Sequence, residues 1–391
     1  MDFALSPEVI TLRDRVAEFV RTEIIPHEMK MDAEGRLPAE LVAELRGKVK
    51  AAGLWAPHLP VEYGGQGLDM MAMAAIFEQL GKCQIAPYLF NCDAPDEGNM
   101  HLMIEYGSPY QIEKYARPLI AGDIRSAFAM TEPAPGAGAD PALLKTHAVK
   151  DGACWRINGH KWYTTNADGA AFVIVMARTS DDPRNGATLF LVDQDAPGYK
   201  VERQIGVMGS GGPGGHCELT FNDVEVDEAQ ILGGVGNGFK LAQARLGPAR
   251  LSHCMRWLGM AQRALEIATE RALGREAFGK KLAEHEAIQW MLADSATEIH
   301  AGHLMTMHAA WVIDQGQDSR HYTSMAKLYV SEILGKVVDR AIQVCGALGY
   351  STDLPLERYY RDARAARIAD GPSEVHRMVI ARNTLKGTRE F

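Results

Sequence analysis

Asp370 stands in the stretch A-R-I-A-D-G-P-S-E-V-H-R (366–377), after the apolar pair Ile368–Ala369 and before a Gly-Pro turn. A carboxylate presented from an apolar wall at a rigid turn can serve as a general base. Aspartate is also a favoured helix N-cap, and the local sequence leaves both readings open. Two glycine-rich stretches suggest phosphate chemistry and fail on context. In G-R-E-A-F-G-K-K (274–281), Lys281 stands where a phosphate loop needs Ser or Thr, and a helical pattern precedes it instead of a strand. G-S-G-G-P-G-G-H (209–216) leads into a strand where a dinucleotide loop leads into a helix, so it reads as a hairpin connection.

Two other stretches point to a flat, polar-edged ligand. M-T-E-P-A-P-G-A-G-A-D (130–140) leaves a strand and becomes a loop whose backbone N–H groups can face an anion or a ring system. N-G-H-K-W-Y-T-T-N (158–166) is expected to follow an Asn-Gly turn and to set aromatics beside hydroxyls at a strand end. Together they suggest a wall that stacks on a planar cofactor and hydrogen-bonds its edge.

The elements that must position these residues fall into three blocks. Residues 1–122 read as helical, with Ser6 capping the first helix, Pro7 at its first position and Gly53 stopping a later one. Residues 123–234 turn to short strands such as A-F-V-I-V-M-A-R-T, A-T-L-F-L-V-D and C-E-L-T-F-N-D-V-E-V. From 235 to 391 helical periodicity returns in two long runs, beginning at His285 and Tyr322, which suit a bundle. No repeat or low-complexity linker separates the blocks. The fold class is therefore α+β: a helical domain, a β-barrel or sandwich domain, and a four-helix-bundle domain.

Composition narrows the function. A chain of 391 residues with a formal net charge of −9 is a poor general partner for nucleic acid or an anionic membrane. No apolar run reaches the roughly 18 residues of a membrane span, and the charged opening M-D-F-A-L-S-P-E lacks a signal-peptide core. Six scattered cysteines form no C-x-x-C pair, so reduced thiols and a cytoplasmic setting are expected. Among thirteen histidines there is no H-E-x-x-H, and no metal site is expected.

In order along the chain, M-D-F-A-L-S-P-E, A-M-T-E-P…G-A-G-A-D, K-W-Y-T-T-N, C-E-L-T-F-N-D-V-E-V, G-N-G-F, R-E-A-F-G-K, A-I-Q-V-C-G-A-L-G-Y and R-D-A-R…I-A-D-G-P-S-E-V resemble the motifs of the acyl-CoA dehydrogenase family. The resemblance covers essentially the whole chain. The wording A-D-G-P-S-E-V-H and L-G-P-A-R-L-S-H-C-M-R is most similar to the branch containing family members ten and eleven. It implies FAD as cofactor, an acyl-CoA substrate of fatty-acid β-oxidation type, a homodimer or homotetramer, and electron-transfer flavoprotein as electron acceptor.

Carried over by position, the resemblance places Met130, Thr131, Ala139, Tyr163 and Thr165 at the flavin, with Ser373 and Glu374 also on the cofactor side. It implies that Arg275, Phe278, Glu286, Gln343 and Gly346 reach the pyrophosphate and adenosine half of a neighbour's FAD. Ala139, Arg250 of G-P-A-R and Gly371 fall on the acyl-CoA side. Asp370 falls at the catalytic base, one methylene shorter than the family's usual Glu. Other departures are the inserted Ala134 and Pro135, Ala139 for Ser, Glu286 for Gln, Ala347 for Gly and Ala369 for Tyr.

The expected activity is α,β-dehydrogenation of an acyl-CoA to a trans-2-enoyl-CoA, with the Asp370 pKa raised by a dry pocket. The alternatives are a flavin oxidase of acidic C–H substrates such as nitroalkanes, and a non-catalytic FAD-bound assembly protein.

Overall fold

The computed structural model describes residues 4–182 and 185–387. Ser6 caps helix α1 (Pro7–Phe19), its hydroxyl accepting the Val9 amide at 3.3 Å, while Pro7 occupies the position where no donor is needed. Helix α2 (Ala39–Ala51) ends just before Gly53, whose φ of +66° reverses the chain. Helix α3 (Met70–Gly81) begins at the capping Asp69 and buries Ile76, Phe77 and Leu80. Each of those side chains contributes roughly 1.5–3 kcal/mol by leaving water. The one-turn α4 (Ala86–Leu89), α5 (Asp96–Tyr106), and the short α6 (Pro109–Gln111) and α7 (Arg117–Ala121) complete the first block.

The strands are β1 (Ser126–Ala129), β2 (His147–Asp151), β3 (Cys154–Thr165), β4 (Phe172–Arg178), β5 (Ala187–Asp193), β6 (Tyr199–Gln204), β7 (His216–Asp227) and β8 (Ile231–Leu232). They form one sheet in the order β6-β7-β3-β2-β4-β5-β8, with β1 parallel to β4. Strands β4 and β5 are mostly apolar, apart from Thr188 and the terminal Arg178 and Asp193, because both their faces are covered. Ile174, Met176, Leu189 and Leu191 pack with Met100, Met103 and Leu119 of the helical block, while Val173, Val175, Phe190 and Val192 pack with Trp155, Ile157 and Leu219.

The expected Asn158–Gly159 turn is not a turn. Strand β3 runs through it, with a shift of register against β7 between Ile157 and Gly159. Partners across the sheet set this bulge. The Asn158 amide donates to Asp223 Oδ1 at 2.8 Å and its oxygen accepts the Asp223 N–H at 2.9 Å. A Cβ on Gly159 would come within 2.3 Å of Thr146 Oγ1, so only glycine fits.

The last block opens with the 37-residue α8 (Gly238–Gly274), then the small hairpin β9 (Glu276–Ala277) and β10 (Lys280–Lys281). Helices α9 (Glu286–Asp314), α10 (Arg320–Cys345), the one-turn α11 (Ala347–Tyr350), α12 (Leu356–Ala366) and α13 (Ser373–Leu385) follow. Helices α8, α9, α10 and α13 make the bundle, with α10 packed on the other three. Helix α3 crosses α8 at near contact. A Cβ at Gly81 would lie 2.1 Å from the Arg256 carbonyl oxygen, and one at Gly259 would lie 2.1 Å from that of Glu78. Only glycine permits such an approach, and it fixes the turn of α8 that carries His253 and Arg256. None of the described helices is long and apolar enough to cross a membrane.

Candidate active site

Asp370 lies in the turn between α12 and α13. Pro372 is the residue preceding α13, and no side chain caps that helix. Asp370 sits two residues further upstream with a φ of +52°, so the helix-cap reading is excluded. Its carbonyl accepts from Arg250 Nε of α8 at 2.9 Å. Lys327 of α10 is wholly buried and donates to the carbonyls of Ala366 at 2.9 Å and Gly371 at 2.7 Å. Two cations on backbone carbonyls thus hold a left-handed aspartate whose carboxylate is free for other work. Such a conformation is costly for a non-glycine residue and persists only where the surroundings enforce it.

The carboxylate itself faces α8. Asp370 Oδ2 is 3.1 Å from His253 Nε2, and the side chain keeps 27% of its exposure. Burial alone would raise its pKa, but the His253 hydrogen bond and the positive charges of Arg245 and Arg250 outweigh it. Asp370 is therefore held well below the usual carboxylate range, contrary to the raised value expected from a dry apolar pocket. The apolar wall is not there: Ile368 is 60% exposed, and Arg245 and Arg250 of α8 act on the carboxylate. Arg250, expected on the acyl-CoA side, has its Nε committed to the turn. Burial followed by the charges of Lys327 and Arg250 pushes the His376 imidazole down to about 4.

Of the neighbours expected at the cofactor, Ser373 is buried and donates to Glu332 Oε1 at 2.8 Å, while Glu374 is exposed on the first turn of α13. The β-domain wall has a different anchor. Glu132 accepts from Lys161 Nζ and the Thr146 amide at 2.8 Å, the Lys145 amide at 2.7 Å and the Ala137 amide at 3.1 Å. Lys161 also donates to the Met130 carbonyl at 3.0 Å, and the Trp162 amide donates to the Thr131 carbonyl at 3.0 Å. A second register shift, between Lys161 and Thr164, turns the half-exposed Tyr163 outward at a φ of +50°. Thr165 Oγ1 meets His216 Nδ1 at 3.0 Å. Ala139 is exposed on the loop beyond.

Arg275, Phe278, Glu286, Gln343 and Gly346 are all exposed in the bundle block. Phe278 and Gly279 make the turn of the β9–β10 hairpin at φ of +53° and +80°, leaving Phe278 97% exposed. No carboxylate among the described residues pairs with the Arg275 guanidinium. An unpaired guanidinium and an outward aromatic ring three residues apart in one exposed segment suit a pyrophosphate and an adenine, so the residues present fit FAD. Arg275→Ala is expected to remove a charged phosphate contact worth about 1.5–3 kcal/mol. Its FAD content after gel filtration, read from the flavin absorbance, should fall below that of wild type.

Several residues of this site were not singled out from the sequence. His253 and Arg256 occur in L-S-H-C-M-R-W, at a spacing that puts a histidine beside an arginine one helical turn on. Lys327 stands among Thr323, Ser324, Val330 and Ser331 on the buried face of α10, and Glu132 and Lys161 are signature residues paired across 29 residues of chain. A buried chain also joins the domains. Asp96 Oδ1 accepts the Ser126 amide at 2.9 Å, Asn99 donates to Ser126 Oγ at 2.9 Å, and Arg245 Nε donates to Asn99 Oδ1 at 2.8 Å.

The chain matches known proteins over nearly its whole length. Residues 6–123, 127–224 and 236–385 match the family models described as the acyl-CoA dehydrogenase N-terminal, middle and C-terminal domains. The chain thus has the three-domain acyl-CoA dehydrogenase fold. It belongs to the acyl-CoA dehydrogenase family, an oxidoreductase family of FAD-binding flavoenzymes. It is 41% identical to "Probable acyl-CoA dehydrogenase FadE2" of Mycobacterium tuberculosis, covering 98% of this chain and 97% of that protein. It is 38% identical to acyl-CoA dehydrogenase family member 11 of Rattus norvegicus over 97% of this chain, spanning 50% of that longer relative. The structure of butyryl-CoA dehydrogenase from Megasphaera elsdenii aligns at a TM-score of 0.87 and 29% identity, covering 98% of this chain and 100% of that one.

Proposed function

We propose that the protein α,β-dehydrogenates an acyl-CoA thioester to a trans-2-enoyl-CoA, with Asp370 removing the α-proton. The observation that carries this reading is the Asp370 turn, in which Arg250 and Lys327 hold the backbone and leave the carboxylate off the helix cap. A carboxylate with a depressed pKa is ionised throughout the working range, so it is ready to accept a proton. It is also a weak base, and the thioester carbonyl must be polarised by hydrogen bonds for the α-proton to leave. An acyl chain covering the remaining exposed part of Asp370 would strip its water and strengthen it as a base.

Met130, Thr131, Tyr163 and Thr165 form the wall for the flavin, Ala139 and Gly371 lie toward the substrate, and Ser373 and Glu374 lie at the cofactor side. Bound FAD supplies the acceptor for the hydride that leaves the β-carbon. Arg275, Phe278, Glu286, Gln343 and Gly346 serve a neighbouring subunit's FAD, which makes the active form an oligomer. Electron-transfer flavoprotein is the acceptor in this reading, and the six free thiols support a cytoplasmic setting.

The test is anaerobic mixing of the FAD-loaded protein with butyryl-, octanoyl- and palmitoyl-CoA and with nitroethane. Flavin bleaching by at least one acyl-CoA, with enoyl-CoA formed in equal amount, is expected. Reduction by nitroethane alone would contradict the proposal.

A further inference from the structure

We propose that His253 is the positioning residue for the base, fixed by Arg256 as the neutral tautomer that carries its proton on Nε2. This rests on Asp370 being the base. His253 Nδ1 is 3.2 Å from Arg256 Nη2. A guanidinium has only donors, so Nδ1 must present its lone pair, and the ring proton is on Nε2. That proton then points at Asp370 Oδ2, 3.1 Å away.

Arg256 is itself unable to turn. Its Nη1 donates to Glu97 Oε2 at 3.0 Å and to the Cys92 carbonyl at 2.8 Å, and Nη2 reaches Ser252 Oγ at 3.3 Å. Ser252 Oγ also donates to Glu97 Oε2 at 3.1 Å. The imidazole stacks on Trp257, one helical turn along, with ring centroids 5.3 Å apart and planes 14° apart. Stacking fixes the ring plane and Arg256 fixes which nitrogen faces which way. The charged and titratable groups around the ring are Arg245, Arg250 and Arg256 of α8, Asp93 and Glu97 of the first block, Lys327 of α10, and Asp370 and His376 beyond α12. A second ring proton would set N–H against N–H at Arg256.

The chain Glu97–Arg256–His253–Asp370 therefore runs from the N-terminal block to the base through hydrogen bonds of defined direction. It does for the carboxylate what a partner on the far nitrogen of a metal-bound histidine does for the ligand. With Oδ2 occupied by His253, and no described residue donating to Oδ1, the oxygen left to take the α-proton is Oδ1. His253 touches neither substrate nor flavin in this account. It selects the reacting oxygen and keeps the carboxylate ionised.

The experiment uses the FAD-loaded enzyme, the acyl-CoA of the above series that bleaches it fastest, and the variants His253→Phe, His253→Gln and Asp370→Asn. Histidine-selective 15N NMR, with the His253 signal assigned by its loss in His253→Phe, should show a protonated Nε2 and a bare Nδ1. His253→Phe keeps the stacking but removes the donor. It should lower the limiting rate of flavin reduction about 10–100-fold, the range for outer partners of a functional group. Half-saturation should stay near wild type, and the acid limb of the pH profile should move to higher pH. His253→Gln restores an N–H near Nε2 and should recover most of the rate and the low acid limb. A protonated Nδ1, or a His253→Phe enzyme with wild-type rate and an unmoved acid limb, would overturn the positioning role. Wild-type reduction by Asp370→Asn would instead remove the base assignment, whatever the tautomer.

Discussion

Replacing Lys161 by methionine destabilises the protein by about 3–5 kcal/mol, the cost of breaking one side of a buried ion pair. Both side chains of the Glu132–Lys161 pair are out of water, at 2% and 0% exposure, so neither charge can be hydrated when its partner is lost. Three backbone amides remain on Glu132 in the variant, which places the effect at the lower end of that range. The double variant Lys161→Met with Glu132→Gln should recover part of the loss, because no uncompensated charge is left behind. Thermal or urea unfolding measures the stability, and flavin absorbance after gel filtration measures how well the M-T-E-P loop still holds its ligand. A wild-type unfolding midpoint in Lys161→Met would show that the pair does not anchor the loop.

The same pair sets a pH dependence. Burial acts to raise the Glu132 pKa, but the charge and hydrogen bond of Lys161, with the Thr146 and Lys145 bonds, bring it down to about 2 from 4.5. A folded-state value below the unfolded one means the stabilisation is complete above about pH 4.5 and is lost as pH falls toward about 2. Acid unfolding of wild type should steepen across that window, and Lys161→Met should show less of this steepening.

Asp370→Asn is the second large effect. The substitution keeps the shape of the side chain and removes the proton acceptor, so flavin reduction by acyl-CoA should fall at least about 10²-fold, or about 2.7 kcal/mol in the barrier. FAD should remain bound, because Asp370 is not among the residues assigned to it. Asp370→Glu also loses activity, though less than Asn. Arg250 and Lys327 hold the adjacent carbonyls of Asp370 and Gly371, so the backbone cannot withdraw to accommodate the extra methylene. The longer side chain would displace its carboxylate from the 3.1 Å contact with His253.

Much of this was legible in the chain. Ser6–Pro7, Gly53 and the long helical runs mark element ends by local chemistry, and the structure has those ends. Asp370 drew notice because Gly-Pro follows it, yet a base and a helix cap both suit that place. Only the position of Pro372 at the head of α13 separates them. The electrostatics could not be read locally. Arg245, Arg250 and His253 lie more than a hundred residues upstream on α8, and it is the packing of α8 that brings them to Asp370. The Asn158–Gly159 misreading has the same origin. Asn-Gly favours a turn by itself, but Thr146, just before β2, and Asp223 of β7 turn it into a bulge. Glu132 follows β1 and Lys161 lies in β3, and a pairing across 29 residues leaves no periodic trace in sequence.

The most direct test of Asp370 as the base is anaerobic stopped-flow reduction of FAD-loaded wild type and Asp370→Asn by the same acyl-CoA. FAD occupancy is measured on each sample beforehand. Full occupancy is expected in both, with rapid bleaching in wild type and bleaching slowed at least about 10²-fold in the variant. Equal rates at equal occupancy would contradict it and would place the proton acceptor on another residue.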